Sequence, residues 1–315
     1  MRRVVLLGRE VSAIGFGCAR LMGRLGRRAS LRALHAALDA GVTYFDVARS
    51  YGYGQAESLL GEFLAGRRDT VVVATKFGIL PPRPNFLRAV ARPVVRGAVR
   101  FAERSGLSVV DRVLRRGIAR GAGLSPRRGH FTPALARASL DTSLRELRLD
   151  RVDVLWLHDC SSTDLTDELR STLDRFVTEG KVGHYGPATD PDSCRELLAK
   201  HPQLPIAQLP HHVWRDGLSA TGGRPTVTHS VFGSPEDRSR LRTALDRDPP
   251  GERDPYRFAL KYALAANRTG VVILGMSDPR HIAANATIAS ERPDESTLAW
   301  VEKYRSIPDV PPESS

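Results

Sequence analysis

Four residues that could move a proton stand out in the sequence. Asp46 ends the run TYFD, Lys76 ends VVVATK, and His158 ends VDVLWLH. Tyr51 follows Asp46 by five residues in the loop ARSYGYGQ. Hydride reduction of a carbonyl leaves an alkoxide that needs a proton, and a tyrosine can supply it when a lysine ammonium nearby lowers its pKa. An aspartate paired with that lysine keeps it charged, and a histidine orients the carbonyl oxygen. The four residue types together therefore predict proton transfer to a reduced carbonyl.

Each of these residues alone also has a structural explanation. Lys76 could be a solvated strand terminus, Asp46 a helix N-cap, and His158 a core histidine whose hydrogen bonds are satisfied. Tyr51 alone indicates almost nothing. It is much less probable that four such residues fall at or near the ends of strands by accident. The secondary-structure elements that hold these residues therefore decide between the structural and the chemical explanation.

Eight short β-rich runs alternate with helical patterns along the chain. Most of these runs are continuously apolar, which is typical of parallel strands covered by helices. They span 11–17, 43–47, 71–76, 152–158, 181–186, 205–209, 225–230 and 270–275. Helical patterns span 30–41, 55–66, 132–150, 164–179, 191–200, 254–267 and 279–289, with an added terminal helix at 295–305. The alternation predicts an α/β fold, a (β/α)8 TIM barrel with catalytic groups at the carboxyl ends of its strands.

The N-terminal segment adds two details. RVVLLGREV predicts a β-hairpin around Gly8 and Arg9, before the first barrel strand. A doubly wound sheet would favour a GxGxxG loop, but Gly15-Phe16-Gly17 is followed by CARLMG, where the third glycine is misplaced. Residues 1–315 are expected to form a single barrel domain with an insertion at about 81–128, after the third barrel strand.

The insertion is strongly basic. Residues 81–130 hold twelve arginines and two acidic residues, so this stretch carries nearly all of the net charge of +12. Arginines recur every four residues from Arg88 to Arg104, and Pro93 is expected to begin a helix. We interpret the segment as a solvated amphipathic cap that shapes substrate choice. A lid that recognises an anionic substrate, and contact with anionic lipid or an acidic partner, are alternatives; no motif favours nucleic acid.

Composition narrows the class of protein. The apolar runs are far shorter than the about 20 residues of a membrane-spanning helix. Arg9 and Glu10 interrupt the apolar N-terminus, so export is not expected. Cys18, Cys160 and Cys194 lack CxxC spacing, which predicts neither a disulfide framework nor a metal site and favours the cytoplasm.

The segment GVTYFDVARSYGYGQAESLLGEFL closely resembles the signature of the aldo-keto reductase family. VVVATKFG is similar to the lysine strand of that family, VDVLWLHD to its histidine strand, and GKVGHYG to its fifth strand. The resemblance covers essentially the whole chain except the basic insertion. It implies a (β/α)8 barrel that binds a nicotinamide cofactor, usually NADPH, extended across the rim. The tetrad of the family corresponds to Asp46, Tyr51, Lys76 and His158.

The resemblance also implies a set of cofactor-binding positions. Gln208 matches the glutamine that hydrogen-bonds the nicotinamide carboxamide, and Asn285 matches an asparagine that contacts adenine. Gly17 and Cys18 lie where the first strand meets the cofactor. The full set is Gly17, Cys18, Asp46, Thr189, Gln208, His229, Ser230, Gly275, Arg280 and Asn285.

Several of these positions depart from the family pattern. Ala188 and Thr189 stand where the family usually has Ser-Asn, and His229 stands where a tyrosine commonly stacks on the nicotinamide. Near the adenosine phosphate, Gly275 replaces a frequent lysine, and Arg280 is adjacent to the position of the usual arginine. The resemblance favours NADP(H), and these departures leave NAD(H) open.

The leading hypothesis is an oxidoreductase that transfers hydride from NAD(P)H to an aldehyde or ketone, with Tyr51 as general acid. Two alternatives stay open. One is an NAD(P)-dependent sugar or alcohol dehydrogenase that works in the oxidising direction. The other is a nicotinamide-binding regulatory protein with little turnover, for which the altered carboxamide site is the support. The enzymatic hypotheses imply a small carbonyl substrate, neutral or anionic.

Overall fold

A computed structural model describes residues 1–82 and 127–305 of the chain. Eight parallel strands form a closed barrel, in which the last strand pairs with the first. The barrel strands are β3 (Ile14–Gly17), β4 (Tyr44–Asp46), β5 (Val72–Phe77), β6 (Val152–His158), β7 (Val182–Ala188), β8 (Ala207–Pro210), β9 (Thr226–His229) and β10 (Val271–Leu274). The predicted (β/α)8 barrel is thereby confirmed.

A short antiparallel hairpin precedes the barrel, as the sequence predicts. Its strands are β1 (Arg3–Leu6) and β2 (Arg9–Ser12). Leu7 and Gly8 form the turn with φ values of 50° and 76°, the left-handed conformation that a two-residue hairpin turn requires. The predicted first barrel strand at 11–17 was too long, because Val11 and Ser12 pair with β1 and leave β3 to begin at Ile14.

Helices follow the strands and cover the barrel. In the described residues they are α1 (Arg27–Asp39), α2 (Ala56–Leu64), α3 (Pro133–Leu147), α4 (Asp167–Thr178), α5 (Pro191–Lys200), α6 (Pro235–Arg247), α7 (Pro255–Ala266), α8 (Pro279–Ile288) and α9 (Glu295–Arg305). The helix α6 was not predicted from the sequence, because it buries little apolar surface. A capping box marks its start, since Ser234 accepts from the Asp237 backbone and the Asp237 side chain accepts from the Ser234 backbone.

The register of the barrel brings the ends of distant strands together. Gly17 pairs with Asp46, Lys76 pairs with Trp156, and His158 pairs with Ala188. The strands are buried almost throughout, which explains their continuously apolar sequences. Large side chains such as those of Trp156, Tyr44 and Phe45 are fully buried in the core. The carboxyl ends of the strands therefore meet at one end of a packed barrel.

The predicted basic insertion, with its arginine repeat and the helix expected at Pro93, lies outside the described residues. The chain on either side of it is described. Leu80 and Arg127 exchange backbone hydrogen bonds of 2.8 and 3.1 Å, and the Phe131 ring packs edge-on against Phe77. The insertion therefore leaves and rejoins the fold at one place, directly after β5. Within residues 1–82 and 127–305, no helix has both the length and the apolarity needed to span a bilayer.

Candidate active site

A cleft of about 380 Å³ opens at the carboxyl ends of the barrel strands. Its volume is typical of sites that bind small molecules. It lies at the end of the barrel where enzymes of this architecture bind and convert their substrates. The strand ends bring most of the predicted site residues into its lining: Gly17, Asp46, Tyr51, Lys76, His158, Thr189, Gln208, His229, Ser230 and Gly275.

A buried ion pair lies at the floor of the cleft. The Lys76 ammonium donates to Asp46 Oδ1, and the side chains are 3% and 5% exposed. The Gln208 amide donates to Asp46 Oδ2 at 2.8 Å. Burial lowers the pKa of Lys76, and the neighbouring Asp46 carboxylate opposes that shift. Asp46 thus favours a protonated Lys76 inside the barrel.

Tyr51 lies beside this ion pair in a short 3-10 turn after β4. The Lys76 ammonium is 5.8 Å from the centroid of the Tyr51 ring, and the His158 ring meets Tyr51 edge-on at 6.0 Å between centroids. Gly52 makes this turn feasible, because it has a φ of 57° and a Cβ there would be 2.5 Å from Leu21 O.

The protonation state of Tyr51 differs from the sequence-based expectation. We expected Lys76 to lower the pKa of the phenol. In the structure, burial first and the Asp46 carboxylate next raise that pKa. The physical reason is that the lysine charge is paired with Asp46, while the partial burial of the phenol and the Asp46 carboxylate disfavour the phenolate. Tyr51 therefore holds its proton at neutral pH, which is the state a proton donor needs.

His158 is neutral in this site. Burial, and then the charge of Lys76, lower its pKa from 6.5 to about 3. Its Nδ1 atom is buried and has no hydrogen-bond partner among the described residues. A neutral imidazole in this place can hydrogen-bond an uncharged carbonyl oxygen without adding a second buried cation next to Lys76.

Neutral buried histidines make stability depend on pH. The pKa values of His158 and His211 are lowered from 6.5 to about 3 and about 4, mainly by burial. At pH values below the histidine pKa of the unfolded chain, the unfolded chain binds more protons than the folded chain. The free energy of unfolding therefore decreases as the pH falls. We expect the free energy of unfolding to drop by on the order of 1 kcal/mol per histidine between about pH 7 and about pH 5.

Urea unfolding at the two pH values measures this loss. A His211→Phe variant, whose ring can still stack on Tyr262 as His211 does, should show a smaller pH dependence than the original chain. A free energy of unfolding that stays constant or rises as the pH falls would contradict neutral burial of these histidines.

Three predicted cofactor positions lie away from the cleft lining. The Cys18 side chain is fully buried, with its sulfur 3.9 Å from Phe16 O. Arg280 is exposed and pairs with Asp278, and Asn285 lies further along α8. The structure therefore places Arg280 and Asn285 apart from the residues at the strand ends, whereas the buried Cys18 thiol lies near Asp46, Lys76 and Tyr51.

Two carboxylates that the sequence analysis missed line the same cleft, Asp159 and Asp190. Arg128 forms an ion pair with Asp159. Asp159 directly follows His158 at the end of β6, so its position after a strand was an available signal. The Asp190 side chain accepts hydrogen bonds from the backbone at the start of α5. The sequence around Asp190 is therefore typical of a helix N-cap.

The cleft suits a nicotinamide group. Because Gln208 uses its amide nitrogen on Asp46, its Oε1 can accept from a carboxamide N–H. The buried Thr189 hydroxyl lies on the adjoining strand end. Gly17 has no room for a side chain, since a Cβ there would lie 2.9 Å from Ile273 Cγ2. These residues fit a flat amide-bearing ring at the end of β3, β7 and β8. Across the described ranges, no group of three or more His, Cys, Asp or Glu residues is placed to hold a metal ion.

Comparison with known proteins agrees with the fold. Residues 13–216 match the model of the Aldo/keto reductase family, and the chain belongs to that family. It is 36% identical over 193 residues to a D-threo-aldose 1-dehydrogenase from a Pseudomonas species, covering 57% of this chain and 50% of that protein. The chain spans about half the length of the curated relatives that it matches. The family membership suggested by the signature segment is confirmed.

Two solved structures share the fold. An aldo-keto reductase from Bacillus halodurans, in its holo form, has a TM-score of 0.72 at 20% identity and covers 96% of this chain and 95% of its own. An aldo-keto reductase from Klebsiella pneumoniae in complex with NADPH has a TM-score of 0.68 at 19% identity, covering 98% of each chain. At these identities the similarity concerns the fold alone.

Proposed function

We propose that this chain is an NAD(P)H-dependent carbonyl reductase in which Tyr51 donates the proton. One observation carries the proposal: the buried Asp46–Lys76 ion pair, the Tyr51 ring and the neutral His158 ring converge in one cleft. Each group has the state that its role requires, since Tyr51 is protonated, Lys76 is paired with a carboxylate and His158 is uncharged.

The division of labour follows from these states. A bound nicotinamide supplies the hydride. Tyr51 gives its proton to the oxygen of the reduced carbonyl, and the Lys76 ammonium stabilises the phenolate that remains. Asp46 keeps that ammonium in place through a direct hydrogen bond. His158 aligns the carbonyl oxygen with the phenol.

The cofactor contacts come mainly from strand ends. Gln208 and Thr189 would hold the carboxamide, His229 and Ser230 would flank the ring, and Gly17 would allow its close approach. NADP(H) is the favoured cofactor, and the NADPH complex of the Klebsiella pneumoniae relative supports it. Arg280 and Asn285 are proposed for the adenosine end only if the dinucleotide extends beyond the described cleft to α8.

Titration of the protein with NADPH and with NADH, followed by quenching of tryptophan fluorescence, tests this cofactor assignment. We expect saturable binding, tighter for NADPH. An Ala188→Ser/Thr189→Asn variant restores the carboxamide-binding pair typical of the family. It should lower the Kd of both cofactors by up to about tenfold, which corresponds to one good hydrogen bond. If neither cofactor binds the original chain, the proposed function is wrong.

Two alternatives keep some support. The name of the Pseudomonas relative, an aldose dehydrogenase, favours an enzyme that works in the oxidising direction. Rates measured in both directions with both cofactors decide between this alternative and the reductase. The loss of the serine hydroxyl at Ala188 favours a nicotinamide-binding regulatory protein. That alternative predicts cofactor binding without turnover.

The basic insertion is proposed to shape substrate choice. Its flanking residues Leu80 and Arg127 join directly after β5, and Arg128 pairs with Asp159, which lines the cleft. This placement near the rim supports a small carbonyl substrate, anionic or neutral, that contacts this side of the cleft. A chain without residues 83–126, assayed on paired neutral and carboxylate-bearing aldehydes, should lose discrimination between them. An unchanged preference would remove this proposal.

Two further predictions from the sequence are proposals about the whole chain. One is that residues 1–315 form one barrel domain, which the continuous path of the chain around the barrel supports. The other is a cytoplasmic location, for which the three free and buried cysteines give support.

A further inference from the structure

A buried carboxylate with no part in the proposed proton transfer lies behind the tetrad. Glu57, in α2, is 1% exposed. Its two oxygens have different partners. Oε1 accepts a hydrogen bond of 2.6 Å from the Thr75 hydroxyl, and Oε2 pairs with Arg49 Nη1 at 3.1 Å. We call these three residues, Arg49, Glu57 and Thr75, the Glu57 bridge.

The partners of Glu57 are next to residues of the tetrad in the chain. Thr75 directly precedes Lys76 in β5, and Arg49 is two residues before Tyr51 in the loop after β4. Successive residues of a strand point to opposite faces. Lys76 therefore faces the cleft while Thr75 faces the helix layer, where α2 presents Glu57. The Glu57 bridge connects the loop that holds the phenol to the strand that holds the ammonium.

The polar character of this bridge is unusual for its surroundings. The other buried residues of α2, such as Leu59, Leu60 and Phe63, pack into the apolar core. A buried carboxylate loses much hydration free energy, which charge-assisted hydrogen bonds only offset when the geometry is good. Such a group contributes little net stability compared with an apolar residue of similar size. Its hydrogen bonds are directional, so each of them holds a partner side chain in a defined position.

We propose that Glu57 is a positioning residue that sets the placement of Tyr51 relative to the Lys76 ammonium, acting through Arg49 and Thr75. Glu57 does not touch the reacting atoms. The charge interaction between ammonium and phenolate weakens with distance, so a loop displaced from β5 stabilises the phenolate less. This inference rests on the proposed function, in which Tyr51 donates the proton.

Thr75→Val tests the bridge with little change in shape, because it removes the hydroxyl and keeps the ion pair of Glu57 with Arg49. We expect kcat to fall about tenfold, as small misplacements of reacting groups do. KM and the Kd for NADPH should stay unchanged. Thr75→Ser, which restores the hydroxyl, should recover the rate.

Thr172→Val is the matched control. Thr172 is another buried threonine, in α4, and its hydroxyl accepts from Arg137 at 3.2 Å, away from the cleft. Loss of this hydroxyl should lower the free energy of unfolding and leave kcat unchanged. A Thr75→Val protein that behaves like the Thr172→Val protein would show that the bridge is only structural, and the proposal would be wrong.

Arg49→Lys gives a second test from the other end of the bridge, should Thr75→Val fold poorly. It keeps the charge but loses the planar geometry of the guanidinium, so the same fall in kcat is expected. If both substitutions act through Glu57, their combined effect is smaller than the product of the two separate effects. If the fall in kcat of the double variant equals the two separate falls multiplied together, the two substitutions do not act through Glu57. Failure of the proposed function is recognised separately, by a wild-type chain without turnover or by a Tyr51→Phe variant that remains active.

Discussion

Replacing Tyr51 by phenylalanine will lower kcat by about a thousandfold, within the range that a positioned general acid contributes. The substitution removes one oxygen and keeps the ring that meets His158 edge-on. The Kd for NADPH should therefore stay within about twofold of the original value, a change of roughly 0.4 kcal/mol. Steady-state turnover and a fluorescence titration on the same preparation separate the two effects.

Tyr53→Phe is the control for this substitution. Tyr53 lies two residues along the same turn, and its side chain is not part of the cleft lining. We expect near-normal turnover from it. A Tyr51→Phe protein that turns over as well as the Tyr53→Phe protein would show that the proton comes from another group. Equal loss in both variants would point to damage of the turn and not to loss of an acid.

Replacing Lys76 by methionine will have the second large effect, on stability as well as on rate. The substitution leaves the Asp46 carboxylate buried without its counter-charge, which typically costs about 3–5 kcal/mol. Gln208 still donates to Asp46 Oδ2, but one neutral hydrogen bond does not replace a buried cation. Turnover should be lost because the phenolate has no ammonium beside it. Urea unfolding and steady-state kinetics measure the two losses.

A double variant separates stability from chemistry. In Asp46→Asn/Lys76→Met neither member of the ion pair at the floor of the cleft is left charged, so much of the lost stability should return while turnover stays absent. Lys303→Met removes a lysine from an exposed pair with Asp248 and should cost much less stability, because solvent screens exposed pairs. If Lys76→Met costs no more than Lys303→Met, the pair at the floor of the cleft is not held as the structure places it.

Most of the barrel could be predicted from sequence, because its strands are buried on both faces. The strand predicted at 152–158 agrees with β6, where a continuous apolar run leaves one interpretation. The helix α6 was missed because its mostly polar sequence gives weak apolar periodicity, although Ser234 marks its start. The first barrel strand was predicted too long, because alternation along one segment cannot show that Val11 pairs with the hairpin.

The candidate site was predictable where chemistry sits at a strand end. Lys76 and His158 end apolar runs, so barrel topology alone places them at one rim. What the sequence could not show are contacts between side chains far apart in the chain. The hydrogen bond from Gln208 to Asp46 and the contact of Glu57 with Thr75 depend on register and helix placement. The direction of the Tyr51 pKa shift also depends on burial, which spacing along the chain does not reveal.

The central claim is that a carbonyl bound in this cleft receives hydride from the nicotinamide cofactor and a proton from Tyr51. A single-turnover experiment tests it most directly. The protein, in excess over NADPH, is mixed with a panel of small aldehydes and ketones while the absorbance of reduced nicotinamide is followed. We expect a rapid loss of that absorbance that requires a carbonyl, and a far slower loss with Tyr51→Phe although NADPH is equally bound. Bound NADPH that is not oxidised by any carbonyl of the panel, or equal rates for the two proteins, would contradict it.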